Sequence, residues 1–275
     1  MYNPWVAVLL AIFLWWFLTG IILVFVKWAD NQGPKAHMIM VVASSPVLVI
    51  GAIGLEAYSK DVSLLGVYGS FVAALATWSW LELAFLSGIL TGPNKQISPA
   101  EVTGWMRFKL ALSAVAYSEI ILLVVLIVLT WVSLGASNQF GYLTFTILYV
   151  ARLSAKLNLF LGVPRINVEF LPNTVSHLSS HFKCRDLNWL FPISITGLSV
   201  LVAIWFEKSI AEPSLSASSV GFSLLATLTV LALIEHWFMV LPLPDAKLWR
   251  WMIPAKSHSQ KLNLTQSKDL TNKTV

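Results

Sequence analysis

The sequence predicts an all-α, polytopic integral membrane protein of about seven transmembrane helices. Three observations carry that reading. Of 275 residues, 57% are hydrophobic and only 11% charged, against about 25% charged in an ordinary soluble domain. Apolar runs long enough to span a bilayer, which takes about 20 residues, recur from the N-terminus to residue 241. Lysines and arginines gather on alternate connections between those runs. The same composition excludes a soluble globular enzyme and a disordered chain. It also assigns the formal charge of +5 and the pI near 9.3 to basic loops beside anionic lipid, not to a nucleic-acid surface.

The first segment, 5–26, carries no basic n-region, is too long for a signal-peptide core and is followed by no small-residue cleavage site, so it is expected to remain as a membrane helix. The second covers 38–58. The third, 64–90, is long enough to tilt or to run into the interface. The fourth is 108–134. The fifth, 140–161, is the least apolar, because Arg152, Lys156 and Asn158 fall inside it. If it did not cross, six spans would remain and both termini would share one side. Segments 188–206 and 218–241 complete the set.

Charge supports the count of seven. The connections after the first, third and fifth segments hold Lys27, Lys35, Lys95, Arg107, Lys109, Arg165, Lys183 and Arg185, and the C-terminal stretch adds Lys247, Arg250, Lys256, Lys261, Lys268 and Lys273. The opposite connections hold Lys60 and Lys208. This asymmetry places the N-terminus outside and the C-terminus in the cytoplasm. Trp5, Trp28, Trp105, Trp131, Trp189, Trp249 and Trp251 lie near expected helix ends, as interfacial anchors do.

The longest cytoplasmic connection is 162–187. Pro172, Asn173 and Thr174 can start a helix there. Val175, Leu178 and Phe182 would share one face, giving an amphipathic helix on the membrane surface. His177 and His181, four apart, could share a metal, but on such a helix they are expected to be solvated. Residues 1–254 read as one transmembrane helical domain and 255–275 as a disordered cytoplasmic tail. On that tail the sequons at Asn263 and Asn272 carry no glycosylation meaning. Cys184, the one cysteine, excludes an intramolecular disulfide and reads as a packing residue.

Ionisable and amide side chains interrupt these apolar runs: Glu82, Glu119, Arg152, Lys156, Asn158, Glu235 and His236. At 1.5 Å per residue, Glu82, Glu119, Arg152 and Glu235 lie about 9–16 Å from the cytoplasmic ends of their helices. Intramembrane charge faces the protein interior or a water-filled cavity and marks a place to look for function. Arg152 and Lys156 are four apart and share a face, with Tyr149 a turn earlier. Arg152 is expected to pair with Glu82, Glu119 or Glu235.

Four readings of this layer follow. Ion pairs could simply fix helix register. Glu82, Glu119, Glu235 and His236 could bind a metal, although adjacent Glu235 and His236 point about 100° apart and lack the Glu-x-x-His spacing of a di-iron site. The layer could conduct protons or ions, without the repeats or broken helices of a transporter. Arg152 and Lys156 could receive an anionic hydrophobic ligand such as a pigment carboxylate. His236 is the deep histidine that could ligate a porphyrin metal, though a hydrogen-bonded core role is commoner. No nucleotide loop, catalytic cysteine motif or zinc signature is present. No metal or cofactor is assigned on these grounds.

Three cytoplasmic-side stretches, WLELAFLSGILTGP at 80–93, ARLSAKLNLFLGVPRINVEFLP at 151–172 and LIEHWFMVLPLPDAKLWRW at 233–251, together with NPWVAVLLAIFLWWF at the N-terminus, resemble the photosynthetic complex assembly protein family, PuhE, of purple and related anoxygenic phototrophic bacteria. The resemblance reaches to about Pro254. It implies a multi-pass protein of the bacterial cytoplasmic (inner) or intracytoplasmic membrane. Its expected role is accessory: assembly of reaction-centre and light-harvesting complexes, or coordination of bacteriochlorophyll supply with it. The implied partners are photosynthetic complex subunits or bacteriochlorophyll-biosynthesis proteins, lipid, and a pigment as a candidate ligand, with no nucleic acid. The resemblance supplies no catalytic residues. Ser118 precedes Glu119 where the family commonly has a histidine, which weakens a metal site that requires it. The alternative is a membrane enzyme using the Glu/His cluster in tetrapyrrole or quinone modification.

Overall fold

A computed structural model describes residues 3–99, 101–166, 168, 171–213 and 216–241. The described chain is all-helical: α1 (Pro4–Gln32), α2 (Pro34–Ala43), α3 (Ser45–Ala57), α4 (Leu64–Leu86), α5 (Gly104–Ser133), α6 (Phe140–Leu161), a 3-10 helix (Asn173–His181), α7 (Leu190–Ala211) and α8 (Ala217–Phe238). The tail expected at 255–275, with its lysines and sequons, and the anchors Trp249 and Trp251 lie outside the described residues.

Six stretches are long and apolar enough to cross a membrane: Pro4–Gln32, Pro34–Ala57, Leu64–Leu86, Gly104–Ser133, Leu190–Ala211 and Ala217–Phe238. α6 matches α7 and α8 in length, at 22 residues. It falls below them in apolar character because of the polar groups that it turns inward.

Local chemistry sets the ends. The Asn3 side chain accepts from the Trp5 backbone N–H at 2.9 Å, and Pro4 follows where no intrahelical N–H is needed. The second apolar stretch is broken, not continuous. Pro46 has no N–H to donate and its ring crowds the carbonyl a turn earlier, so α2 ends at Ala43 and α3 starts at Ser45. The third helix is shorter than expected. It stops at Leu86, and Gly88 adopts φ +73° so that Ile89 and Leu90 N–H groups return to the Ala84 carbonyl. The residues up to Leu90 belong to this turn, not to a tilted span.

α4 and α8 form the centre. In their most apolar windows 50% and 56% of residues are buried, against 17% in α1 and 11% in α7. Ala7 and Ala11 of α1 let its backbone approach the core that Phe71, Leu75, Ile147, Leu224 and Leu228 build. In lipid this close fit, more than expulsion of water, holds helices together. Amides pin the turns. Asn138 donates to the Tyr58 and Asp61 carbonyls at 3.0 and 2.9 Å. Asn188 donates to the Gly162 carbonyl at 2.7 Å and to Asn158 Oδ1 at 3.1 Å.

The segment after Pro172 is helical, but it is not an amphipathic α-helix on lipid. It forms a 3-10 helix whose three residues per turn align Val175, Leu178 and His181. Val175 and Leu178 of that face are buried on Phe85, near the end of α4, and on Ala114 of α5, and Thr174 donates to the Leu86 carbonyl at 2.6 Å. The histidines are not solvated as expected. His181 is 3% exposed, and neither of its ring nitrogens has a hydrogen-bond partner. Arg107 reaches the same place, donating to the carbonyls of His181 and Phe160 at 2.7 and 2.9 Å.

Burial holds both histidines below the usual imidazole range, helped at His181 by His177 and Arg107 and at His177 by Lys95. The neutral form therefore belongs to the folded state. Docking of this segment is complete above the unfolded pKa of about 6.5 and weakens as pH falls through the lower folded values. Hydrogen-exchange protection factors over 173–181, corrected for the intrinsic pH dependence of exchange, should fall as pH is lowered from 7.5 to 5.5, and His181→Leu should remove most of that fall.

Candidate functional site

α4, α5 and α6 bring four of the interrupting charges together. Arg152 and Lys156 stand one turn apart on α6. The Arg152 guanidinium is ion-paired with Glu82 of α4, and its Nε lies 3.9 Å from Glu119 Oε1 of α5. Lys156 Nζ donates to the same Glu119 oxygen at 2.5 Å. Glu119 thus bridges the two cations, and Glu82 caps the first.

The ring of Phe85 lies under both: Arg152 Cζ is 4.5 Å and Lys156 Nζ 4.3 Å from its centroid. A desolvated cation over an aromatic face gains up to about 2 kcal/mol, so Phe85 adds to the two carboxylates. Only 9% of the Arg152 side chain is accessible. Of the three pairings the sequence leaves open for Arg152, the structure forms the one with Glu82 directly and places Glu119 at longer range.

Glu235 approaches from α8. It makes no ion pair with a cation among the described residues, and its hydrogen-bonding neighbour is the Trp15 side chain of α1. Its side chain is exposed and lines a cavity. That cavity, about 360 Å³, lies among α1, α4, α6 and α8. Glu82, Arg152, Lys156 and Glu235 line it, with Thr19, Ser79, Trp15 and Trp78. The rest of the wall is aliphatic or Phe85. The volume is at the small end of the ~300–1,000 Å³ typical of ligand pockets, and so is the pattern of a few polar groups on an apolar wall.

The remaining two residues lie apart from this cluster. His236 is 1% exposed. Its Nδ1 donates to the Ala232 carbonyl at 2.8 Å, so Nε2 accepts from the Ser154 hydroxyl at 2.9 Å. Both nitrogens are used. Asn158 donates to Ser194 Oγ at 2.9 Å and accepts from Asn188, which ties α6 to α7 and to the returning loop. With Glu82 and Glu119 on cations and His236 turned to Ser154, the described residues bring no three His, Cys, Asp or Glu side chains together as a metal site.

Sequence reasoning passed over the aromatic and hydroxyl lining. A signal existed. Trp15 and Trp78 sit in mid-span, where interfacial anchoring gives tryptophan no purpose, and Phe85 lies three residues from Glu82 on the same helix face.

The class is now defined: an all-helical multi-pass membrane protein, with a charged cluster beside an interior cavity. The chain belongs to the family described as "Protein of unknown function (DUF3623)", whose model matches residues 1–260. It is similar to an uncharacterised 30.4 kDa protein in the puhA 5′ region of Rhodobacter capsulatus, at 46% identity over 255 residues, covering 93% of each chain. No solved structure matches.

Breaking one partner of a buried ion pair costs about 3–5 kcal/mol, whereas replacing both by apolar groups of similar volume is often neutral. Glu82→Gln should therefore lower the thermal unfolding midpoint in detergent strongly. Glu82→Leu combined with Arg152→Met should recover most of the loss.

Proposed function

We propose that this protein is an accessory factor of the bacterial cytoplasmic or intracytoplasmic membrane, for assembly of photosynthetic reaction-centre and light-harvesting complexes or for coordinating bacteriochlorophyll supply with that assembly. The observation that carries the reading is the relative in the puhA 5′ region, 46% identical across nearly its whole length. The resemblance of the 80–93, 151–172 and 233–251 stretches to an assembly family points the same way. The architecture is compatible. Phe13, Phe17, Ile193 and Val200 leave apolar faces of α1 and α7 exposed, open to lipid or to helices of partner subunits.

Deleting the gene in a phototrophic host gives the direct test. Near-infrared spectra of the membranes should lose the complex bands while extracted pigment remains mature bacteriochlorophyll. A blue-shifted pigment precursor would point instead to an enzyme of tetrapyrrole modification. Unchanged spectra through the shift to phototrophic growth would remove the photosynthetic reading altogether.

We also infer seven crossings, with α6 as the fifth, an external N-terminus and a cytoplasmic C-terminus. α6 has the length of its neighbours, and its charges are neutralised inside the bundle, which lowers the penalty for placing it in lipid. The single cysteine offers a reporter without mutation, because Cys184 is free and exposed in the loop after α6. A membrane-impermeant maleimide should label it in inside-out vesicles and spare it in intact spheroplasts. The reverse pattern would invert the topology.

A further inference from the structure

Two carboxylates, Glu82 and Glu235, and two cations, Arg152 and Lys156, line the cavity. The cations are already engaged by Glu82 and by Glu119, which stands outside the lining, so Glu235 is the carboxylate left over. An anionic head entering the cavity would meet cations whose charge is satisfied, and an additional unmatched carboxylate on α8. A positive head would meet the reverse. Glu235 supplies the carboxylate, lining the cavity without a cationic partner among the described residues. Trp15 and Trp78 line the same space; the Trp78 ring already carries Arg152, 5.8 Å from its centroid, so the indole beside Glu235 is Trp15, and indole faces are the strongest aromatic partners of a cation. The aliphatic remainder of the wall suits an apolar body.

We propose that the cavity among α1, α4, α6 and α8 binds an amphipathic monocation, a protonated amine on an apolar body, with the ammonium at Glu235 beside Trp15. Its charge completes the neutrality of the five-residue cluster. A bound ammonium matches the Glu235 carboxylate across the cavity that α1 and α8 share, so the ligand stabilises the helix packing that forms it. The ammonium is that of a free lipophilic amine; a phosphatidylethanolamine head brings a phosphate with its ammonium and no net charge. This site is independent of the photosynthetic role and stands or falls separately from it.

Full-length protein in a neutral maltoside detergent is compared with decylammonium, decanol and decanoate, which share a chain and differ in the charge of the head. Decylammonium should raise the thermal unfolding midpoint by about 5 °C or more near saturation, and the other two should not. Glu235→Gln should abolish the shift, while Glu212→Gln, at the end of α7 away from the cavity, should keep it. Ala155→Phe fills the cavity and leaves all five charges in place, so it should also abolish the shift even if the Glu235 variant fails to fold. Equal shifts with all three probes, a preference for decanoate, or a full ammonium response in Ala155→Phe would overturn the proposal. Native mass spectrometry of the protein as purified then reads the occupant: an adduct with the mass of a single-chain amine supports the proposal, and retention of zwitterionic phosphatidylethanolamine in its place would overturn the monocation.

Discussion

A guanidinium inside a helix bundle dictates where its neighbours go. Arg152 sits on α6 with little accessible surface. Carboxylates must come to it from other helices. Glu82 does so from α4 and Glu119 from α5, and each approach fixes the rotation of the helix that makes it. Once α4 is turned to present Glu82, Phe85 falls beneath both cations. The turn after Leu86 then offers its carbonyl to Thr174 and docks the 3-10 segment. One buried charge thus couples register in the membrane to the closure of the longest described connection.

The opposite flank of α6 works by amides and hydroxyls. Asn158, Ser154 and His236 bind α6 to α7 and α8 without net charge. These bonds consume the polar groups they join, whereas the charged flank leaves a cavity and a carboxylate facing it. That difference separates the two halves of a polar layer that looks uniform in sequence. Depth along a helix is readable from residue number, but the side of the helix on which a group finds its partner depends on neighbours elsewhere in the chain.

Most of the fold was legible because hydropathy and span length leave few choices in a bilayer. The helical class and the approximate segments follow from the apolar runs. The errors occurred where local chemistry overrides hydropathy. Pro46 breaks the second stretch, and Gly88 ends the third early. The 3-10 segment was misjudged for another reason. Its apolar residues suit either an α-helix on lipid or a tighter helix on protein, and only tertiary contact with Phe85 and Ala114 decides. Within the site, the ionisable members stood out against an apolar background. Trp15 and Trp78 did not, since aromatic residues are ordinary in membrane helices. Which glutamate meets Arg152 is a matter of helix arrangement, which no local pattern encodes.

The order of these residues along the chain has a consequence for biogenesis. Glu82 and Glu119 precede Arg152 and Lys156, so α4 and α5 leave the ribosome before α6. The two carboxylates enter the translocon first, each on a strongly apolar helix that can carry it. The two cations follow on the helix least able to partition alone. Under the proposed seven crossings, α6 would find its counter-ions already waiting and would insert as a neutral assembly with α4 and α5. Reversing the charges, with the cations on α4 and α5 and the carboxylates on α6, would preserve every ion pair in the finished bundle. It would change which helices must hold unpaired charge at the translocon, and with that the pull of the basic residues towards the cytoplasm.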